Sequence, residues 1–551
     1  MPLALPDALP DGYYLDNFHY LLDFVASHYA HLLTRDERNF YDRIKTLPVN
    51  AVRLYVRLTN RKGPCFRVDK IRYDEIVDIH GALASLVEVE LVQNAVPALE
   101  EAVKLCSRNE LISLAAFKDW PRGTSKTTLT EHILELELHN PVVELQIGVI
   151  ELLGLTELRV FRLLFFGNFH QDMTEFVMHE LVMPFENYSL TAEATSFRSR
   201  AAVEQVLHLK DLSEEAHELL QVDETGADIL SLARTLPARP DDPAAARRFD
   251  RLVNQLARQL ERIGFERESL TLYESTLAPP SRERRSRLLN KLGQYQESLD
   301  LCEAIARQPL NQEELEFARY FAVKVGRKSG LDHGLTAAVK ASIPTETIAV
   351  RPGLKRVEQA AAQYYEQHSE GQADQCFYVE NLLFNGLFGL VFWDIIFAAV
   401  PGAFYHPFQR GPADLYTGDF LVSRRSRIED RLAEVGEASL LKKRALNVFK
   451  QKEGIANEFV HWGFWNEEIL SLALERIAPR HYQVVFSRMV KDLGSNTSGF
   501  PDLILFGDEG YRLIEVKGPG DRLQKNQHRW FQYLLEHDLP VSLVNVVWTA
   551  D

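Results

Sequence analysis

Residues 499–518 read Gly499-Phe500-Pro501-Asp502-Leu503-Ile504-Leu505-Phe506-Gly507-Asp508-Glu509-Gly510-Tyr511-Arg512-Leu513-Ile514-Glu515-Val516-Lys517-Gly518. Two apolar runs flank a short segment of Gly, Asp and Glu, so the stretch predicts a β-hairpin with a turn over 507–510. In a hairpin the start of the first strand lies beside the end of the second, which brings Asp502 next to Glu515. Side chains alternate faces along a strand, so Glu515 and Lys517 point one way and Val516 points into the core. The expected result is two carboxylates and an ammonium on one face.

Two carboxylates held close repel each other, and a bound cation relieves the repulsion. Oxygen donors on a rigid scaffold suit Mg²⁺ or Mn²⁺, as one or two ions, with Asp502, Glu515 and the Val516 carbonyl as ligands. Such an ion polarises a phosphate and lowers the pKa of an attacking water. Lys517 would position that water or stabilise charge growing on the phosphate oxygens. A helix expected from Leu523 to Leu534 aims Gln527 back at the strand ends as an auxiliary group. Lys525 and Arg529, four apart on that helix, share a face suited to a phosphate backbone. Each element also has a plainer reading. A Pro-Asp or Glu-x-Lys pair alone occurs in many unrelated proteins, a hairpin often carries solvated charge, and Lys525 and Arg529 alone are an ordinary exposed face. Asp508 and Glu509 read as turn residues rather than ligands. The agreement of spacing, hairpin and following helix favours a nuclease site.

The chain around this hairpin has 551 residues, a length that suits about three or four domains. Its hydrophobic fraction of 46% is enough to fill several cores. A net charge of −16 argues against a protein that coats nucleic acid, though not against one with a local basic surface. Cys65, Cys106, Cys302 and Cys376 form no CxxC pair, so a zinc site or disulfide framework is not expected and a reducing cytosol fits. The first residues lack a basic segment followed by an apolar one, and so do not read as a signal peptide. The most apolar stretch, residues 385–404, contains Asp394 and Pro401 and reads as a buried helix rather than a membrane span.

Towards the N-terminus, Val52-Arg53-Leu54-Tyr55-Val56-Arg57-Leu58 alternates apolar and polar residues like a half-buried strand. A turn-like segment, Thr59 to Pro64, and a second short strand, Cys65–Val68, follow it, so helices and a basic hairpin resemble a winged helix. Residues 108–140 read as a helix–loop–helix, with Leu111, Leu114, Ala115 and Phe117 facing Leu129, Ile133 and Leu134. The apolar region 142–195 suggests no chemistry. Residues 236–244 look like a linker. Beyond it, residues 263–274 and 292–303 agree at six of twelve positions at an offset of 29, a tetratricopeptide-like pattern of helical pairs. Residues 342–375 read as a transition.

Taken together, these residues resemble the PD-(D/E)xK nuclease superfamily and, within it, the VRR-NUC branch, through EVKGPGDRLQKNQHRWFQYLL (Glu515 to Leu535). Glu380, FGLVFWDIIF (Phe388 to Phe397), FLVSRRSRIEDRL (Phe420 to Leu432), YYLDNFHYLL near the start and LYVRLTNRKG at 54–63 resemble the Fanconi-anaemia-associated nuclease family. The resemblance implies a multidomain, mostly α-helical protein with a C-terminal α/β nuclease domain. Its expected divisions are a winged-helix-like DNA-binding domain at 1–107, a SAP-like helical module and apolar region at 108–235, a tetratricopeptide-like region at 245–375 and a VRR-NUC nuclease domain at 376–551. It also implies a structure-specific 5′-flap endonuclease and 5′-to-3′ exonuclease acting in DNA repair, especially of interstrand crosslinks, in the bacterial cytoplasm on the nucleoid. Glu380 matches the family's upstream metal-binding Glu, and Asp502, Glu515 and Lys517 match the rest of its catalytic set. The larger eukaryotic members begin with a ubiquitin-binding zinc finger. No clustered Cys and His ligands stand here, which argues against ubiquitin binding.

Branched or flapped DNA is the expected partner, met by a monomer. Arg57, Arg61, Lys62, Arg67, Lys70 and Arg72, against Asp69, form one basic stretch suited to phosphate contact. Lys118, Arg122, Lys126 and the helix start near Thr124–Thr127 form a second. Arg424, Arg425 and Arg427 form a third, unless they pair with Glu429 and Asp430. The repeat, with Arg282, Arg284, Arg285 and Arg287, is expected to act as a spacer. The competing readings are a non-catalytic DNA-junction scaffold and a Holliday-junction-resolving nuclease.

Overall fold

The computed structural model describes residues 12–171, 183–190, 197–221, 226–336, 342–351, 356–368, 375–508 and 510–549. Packing divides the chain into two units, one of 1–182 with 191–195, the other of 183–190 with 196–551.

The first unit opens with three helices, Tyr13–His28, Arg35–Thr46 and Val49–Thr59. The third corrects the strand expected over Val52–Leu58. Its buried positions Ala51, Leu54, Tyr55 and Leu58 fall at i, i+3, i+4 and i+7, the spacing of one helix face, so the alternation of Val52 to Leu58 coexists with a helical period. No wing hairpin therefore forms from 52–68. Instead a three-stranded sheet, in the order β1-β3-β2, joins β1 (Cys65–Arg67), β2 (Val92–Asn94) and β3 (Val149–Leu152), both outer strands antiparallel to β3. The helix–loop–helix packs Leu111, Leu114 and Phe117 on Leu129 and Ile133 as expected, while Ala115 stays exposed. Residues 172–182 and 191–195 of the apolar region 142–195, which suggested no chemistry, lie outside the described residues; the described part contributes to the core. It supplies β3 and helix Leu155–Phe166, which buries Leu158, Phe161, Leu164 and Phe165 among others.

The second unit contains the helical repeat. Helices Pro243–Arg262, Glu266–Glu274, Ser281–Lys291, Tyr295–Arg307 and Gln312–Ser329 follow one another. The two copies found in the sequence carry the same buried hydrogen bond. Ser269 Oγ donates to the Ala257 carbonyl at 2.7 Å, and Ser298 Oγ donates to the Ser286 carbonyl, 29 residues further on, at 2.8 Å. Ser269→Ala is expected to cost about 1 kcal/mol, read as a lower urea midpoint at unchanged slope. The expected linker at 236–244 is pinned rather than loose: Arg239 donates twice to the buried Asp250, at 2.8 Å each.

The nuclease part is built on a five-stranded sheet in the order β4-β8-β7-β6-β5: β4 (Thr345–Val350), β5 (Gln375–Tyr378), β6 (Leu503–Gly507), β7 (Gly510–Lys517) and β8 (Val541–Trp548). The stretch 342–375, read as a transition, provides the edge strand β4 and the helix Val357–His368. Hairpin β6–β7 pairs Leu503 with Ile514 and Gly507 with Gly510. Both its faces are covered, which is why its strands read as continuous apolar runs. Leu503, Ile514 and Val516 pack with Ala361 and Tyr365 of helix Val357–His368. Ile504, Phe506 and Leu513 join the larger core with Trp530, Phe531 and Leu534 of helix Lys525–Glu536. The apolar stretch 385–404 lies in that same core as helices Leu382–Val391 and Trp393–Ile396. Among the described residues no helix is long and apolar enough to cross a membrane.

Candidate active site

Continuing the β6–β7 register one step beyond Leu503–Ile514 sets Asp502 opposite Glu515, on the sheet face that meets helix Lys525–Glu536. Asp502 is 9% exposed and Glu515 fully buried. One Asp502 oxygen accepts from the Val516 N–H at 2.9 Å, which locks the strand end. On Glu515, Oε1 accepts from Lys517 Nζ at 2.7 Å and from Gln527 Nε2 at 2.5 Å. Gln527 Oε1 in turn accepts from Lys517 Nζ at 3.1 Å and from the Gln524 N–H at 2.9 Å, closing the first turn of its helix. Asp502, Glu515, Lys517 and Gln527 therefore form one cluster, as the hairpin and its following helix predicted. Val516 points into the core, leaving its backbone to the site.

The electrostatics of the pair are those of carboxylates short of positive charge. Burial, above all, pushes the Asp502 carboxyl up to about 6, against the bond from Val516, with Glu358 and Glu380 raising it further. Burial and then the Asp502 charge push Glu515 up to about 8, and Lys517 only partly compensates. Glu515 Oε2 is buried without a hydrogen-bond partner. A buried acceptor in that state costs about 1–3 kcal/mol unless something occupies it. A divalent cation fits: it supplies the missing charge and takes the orphaned oxygen. Among the described residues no three His, Cys, Asp or Glu side chains converge closely enough to enclose an ion by themselves. Here Asp502 Oδ2 and Glu515 Oε1 are held by protein hydrogen-bond donors, while Glu515 Oε2 is left open.

Glu380 lies beside the same strand end. Its N–H and that of Val379 donate to the Asp502 carbonyl, at 3.0 and 2.8 Å. Sequence reasoning missed its neighbours Tyr378 and Asn381, whose side chains both bond its carboxylate. The available signal was positional: Tyr378 closes an edge strand two residues before Glu380, and Asn381 starts the next helix. Glu358, on the helix that packs under the sheet, was likewise overlooked because it sits outside the hairpin.

The basic residues divide. Arg61, Lys62, Lys70, Arg72, Lys118, Arg122, Arg425 and Arg427 are exposed. Arg57 is partly exposed but pairs with Glu75 at 2.6 Å, over the Tyr14 ring. Two of the expected DNA-binding residues are not available to a phosphate. Arg67 is 6% exposed and pairs with Asp69 and Glu110, at 2.6 and 2.7 Å. The Arg424 side chain is sealed, donating to Asp414 at 2.8 Å and to the Ile395 carbonyl at 3.1 Å. Its partner is thus Asp414 rather than Glu429 or Asp430. Lys126 spends its ammonium on the carbonyls of Lys104 and Cys106. Arg529, read with Lys525 as an ordinary exposed face or one suited to phosphate, instead pairs with Glu313 and Glu316 of the repeat's last helix, at 2.7 and 2.9 Å.

Comparison with known proteins agrees with this geometry. A family model described as the FAN1 HTH domain matches residues 12–93, and one described as the VRR-NUC domain matches residues 438–548. The chain is 32% identical over 572 residues to a Fanconi-associated nuclease 1 homolog of Pseudomonas aeruginosa, with 100% of this chain and 98% of that protein covered. It is 25% identical to Fanconi-associated nuclease 1 of Homo sapiens, across 97% of this chain and 62% of that longer protein. The solved structure of paFAN1 bound to 5′-flap DNA with a two-nucleotide flap and a gap matches with a TM-score of 0.86 at 32% identity, covering 99% of this chain and 100% of that one. With a relative matched end to end above a mosaic of carboxylates, lysine and glutamine that suits phosphodiester hydrolysis, the chain belongs to the Fanconi-associated nuclease family and is a metal-dependent, structure-specific DNA nuclease of DNA repair.

Proposed function

We propose that this protein incises 5′-flapped DNA, and trims it 5′-to-3′, at the site formed by Asp502, Glu515, Lys517 and Glu380. The observation that carries the reading is the buried, facing pair Asp502–Glu515 with one orphaned oxygen. Asp502, Glu515, Glu380 and the Val516 carbonyl would hold one or two Mg²⁺ or Mn²⁺ ions. When bound, such an ion supplies a Lewis acid for the phosphate and lowers the pKa of water. Lys517, paired with Glu515 and Gln527, presents its ammonium where charge grows on the phosphate oxygens. Gln527 holds Lys517 and Glu515 in register, so it acts as an auxiliary positioning group. The setting is the bacterial cytoplasm, on the nucleoid, as a monomer without ubiquitin recognition.

The test is a panel of 5′-flap, nicked and four-way DNA with Mg²⁺ or Mn²⁺. The 5′ flap is expected to be cut fastest; preferential cleavage of the four-way substrate would favour a junction-resolving nuclease.

Phosphate contact falls to the exposed cations, chiefly Arg61, Lys62, Lys70, Lys118, Arg122 and Arg425. With about six phosphates neutralised, raising salt from about 50 to 200 mM should weaken binding about 10³-fold, and the double variant Arg61→Ala, Lys62→Ala should lower the salt slope by about 2. Fluorescence anisotropy in EDTA reads both, and a flat salt dependence would remove the phosphate contacts from the account.

A further inference from the structure

Glu380 sits where β5 gives way to helix Leu382–Val391, at a φ of 29°. A side chain disfavours that left-handed backbone, and residues held there against strain gather at functional sites. The backbone is fixed by the two bonds to the Asp502 carbonyl, and the carboxylate is fixed as closely. Tyr378 donates its hydroxyl to Oε2 at 2.5 Å, and Asn381 donates Nδ2 to Oε1 at 3.1 Å.

The Asn381 side chain is used in an unusual way. It occupies the N-cap of its helix, where an Asn oxygen ordinarily accepts an N–H from the helix's own first turn. It makes no such bond. Its Oδ1 instead accepts from the Gly499 N–H at 3.0 Å and the Phe500 N–H at 3.3 Å. One amide thus ties the Glu380 carboxylate to the loop leading into Pro501-Asp502. Gly499 leaves little slack in that loop. Its φ is +91°, and a β-carbon there would come within 2.9 Å of the Asn526 backbone. Tyr378 is equally hard to read as a packing residue: it is 40% exposed, and its hydroxyl faces the charges of Glu380, Asp502 and Glu358.

We infer that Tyr378 and Asn381 are positioning residues that hold the Glu380 carboxylate ready for the divalent cation shared with Asp502 and Glu515. A carboxylate has about four lone-pair directions. One donor on each oxygen fixes its plane and still leaves a lone pair on each for a metal. This inference rests on the assignment of Glu380 to the metal site, and the experiment separates the two.

Mn²⁺ binding to the full chain is measured by calorimetry for wild type, Glu380→Gln, Tyr378→Phe and Asn381→Ala, with thermal melts in EDTA as the control. Tyr378→Phe keeps the ring and removes one hydroxyl, so its melting temperature should match that of wild type. It should bind Mn²⁺ about 10-fold more weakly, the usual effect of losing such a supporting bond. Asn381→Ala should weaken binding at least as much. In cleavage assays the Mn²⁺ concentration for half-maximal rate should rise in parallel, with the rate largely recovered at saturating Mn²⁺. Wild-type or tighter Mn²⁺ binding by Tyr378→Phe overturns the inference while leaving the site itself intact. Unchanged binding by Glu380→Gln removes Glu380 from the metal site and takes the inference with it.

Discussion

Asp502→Ala is expected to slow cleavage of a 5′-flap duplex by roughly 10³-fold or more, with DNA affinity in EDTA nearly unchanged. Asp502 is the hub of the site. It faces Glu515 across the hairpin, bonds the Val516 N–H, and lends its backbone carbonyl to Val379 and Glu380. The substitution removes the carboxylate but keeps those carbonyl bonds, so the fold should survive and the loss should fall on chemistry. Lys517→Ala removes charge stabilisation and should cost about 10²-fold by the same reasoning. Single-turnover cleavage separates this from a binding defect. Activity of Asp502→Ala close to wild type would sink the assignment. A non-catalytic junction scaffold makes the opposite forecast: neither variant changes anything, and Mn²⁺ leaves the protein's stability untouched.

The second large effect is on stability without metal. Both carboxyls are raised, Asp502 to about 6 and Glu515 to about 8, mainly by burial and then, for Glu515, by the Asp502 charge. The folded state therefore holds protons that the unfolded chain releases near pH 4. The resulting contribution is fully present below pH 4 and is lost as pH rises through 6 and then 8. In EDTA the stability of the nuclease part should fall by a few kcal/mol between about pH 5 and pH 8. Mn²⁺ should restore most of it at pH 8, because the ion replaces the protons. Glu515→Gln should flatten the dependence in EDTA and abolish the restoration. Urea melts at several pH values test this, and stability rising towards pH 8 in EDTA would contradict the burial argument.

The hairpin was legible because its information is local. The apolar runs on either side of 507–510 fix the register, and the register alone sets Asp502 against Glu515. Gln527 was legible for the same reason, being one helical turn into the next element. The 29-residue repeat was legible as self-similarity, and it returned as the matched Ser269 and Ser298 bonds. What stayed hidden depends on tertiary partners. Val52–Leu58 fits a strand and a helix equally in one dimension, and the core chose the face containing Ala51, Leu54, Tyr55 and Leu58. Arg67 and Arg424 read as candidates for phosphate because Glu110 and Asp414 lie 43 and 10 positions away with no local pattern to announce them; only Asp69, the second partner of Arg67, stood close in sequence. Glu380 was found only through family resemblance, since more than a hundred residues separate it from Asp502. Its helpers Tyr378 and Asn381 appear only once β5 is paired with β6.

Anomalous scattering from crystals grown with Mn²⁺ and a 5′-flap duplex locates the bound cation. The predicted result is a peak within about 2.5 Å of carboxylate oxygens of Asp502 and Glu515 and of the Val516 carbonyl, absent from Asp502→Ala crystals. A peak elsewhere, or one that persists in the Asp502→Ala protein, would contradict it.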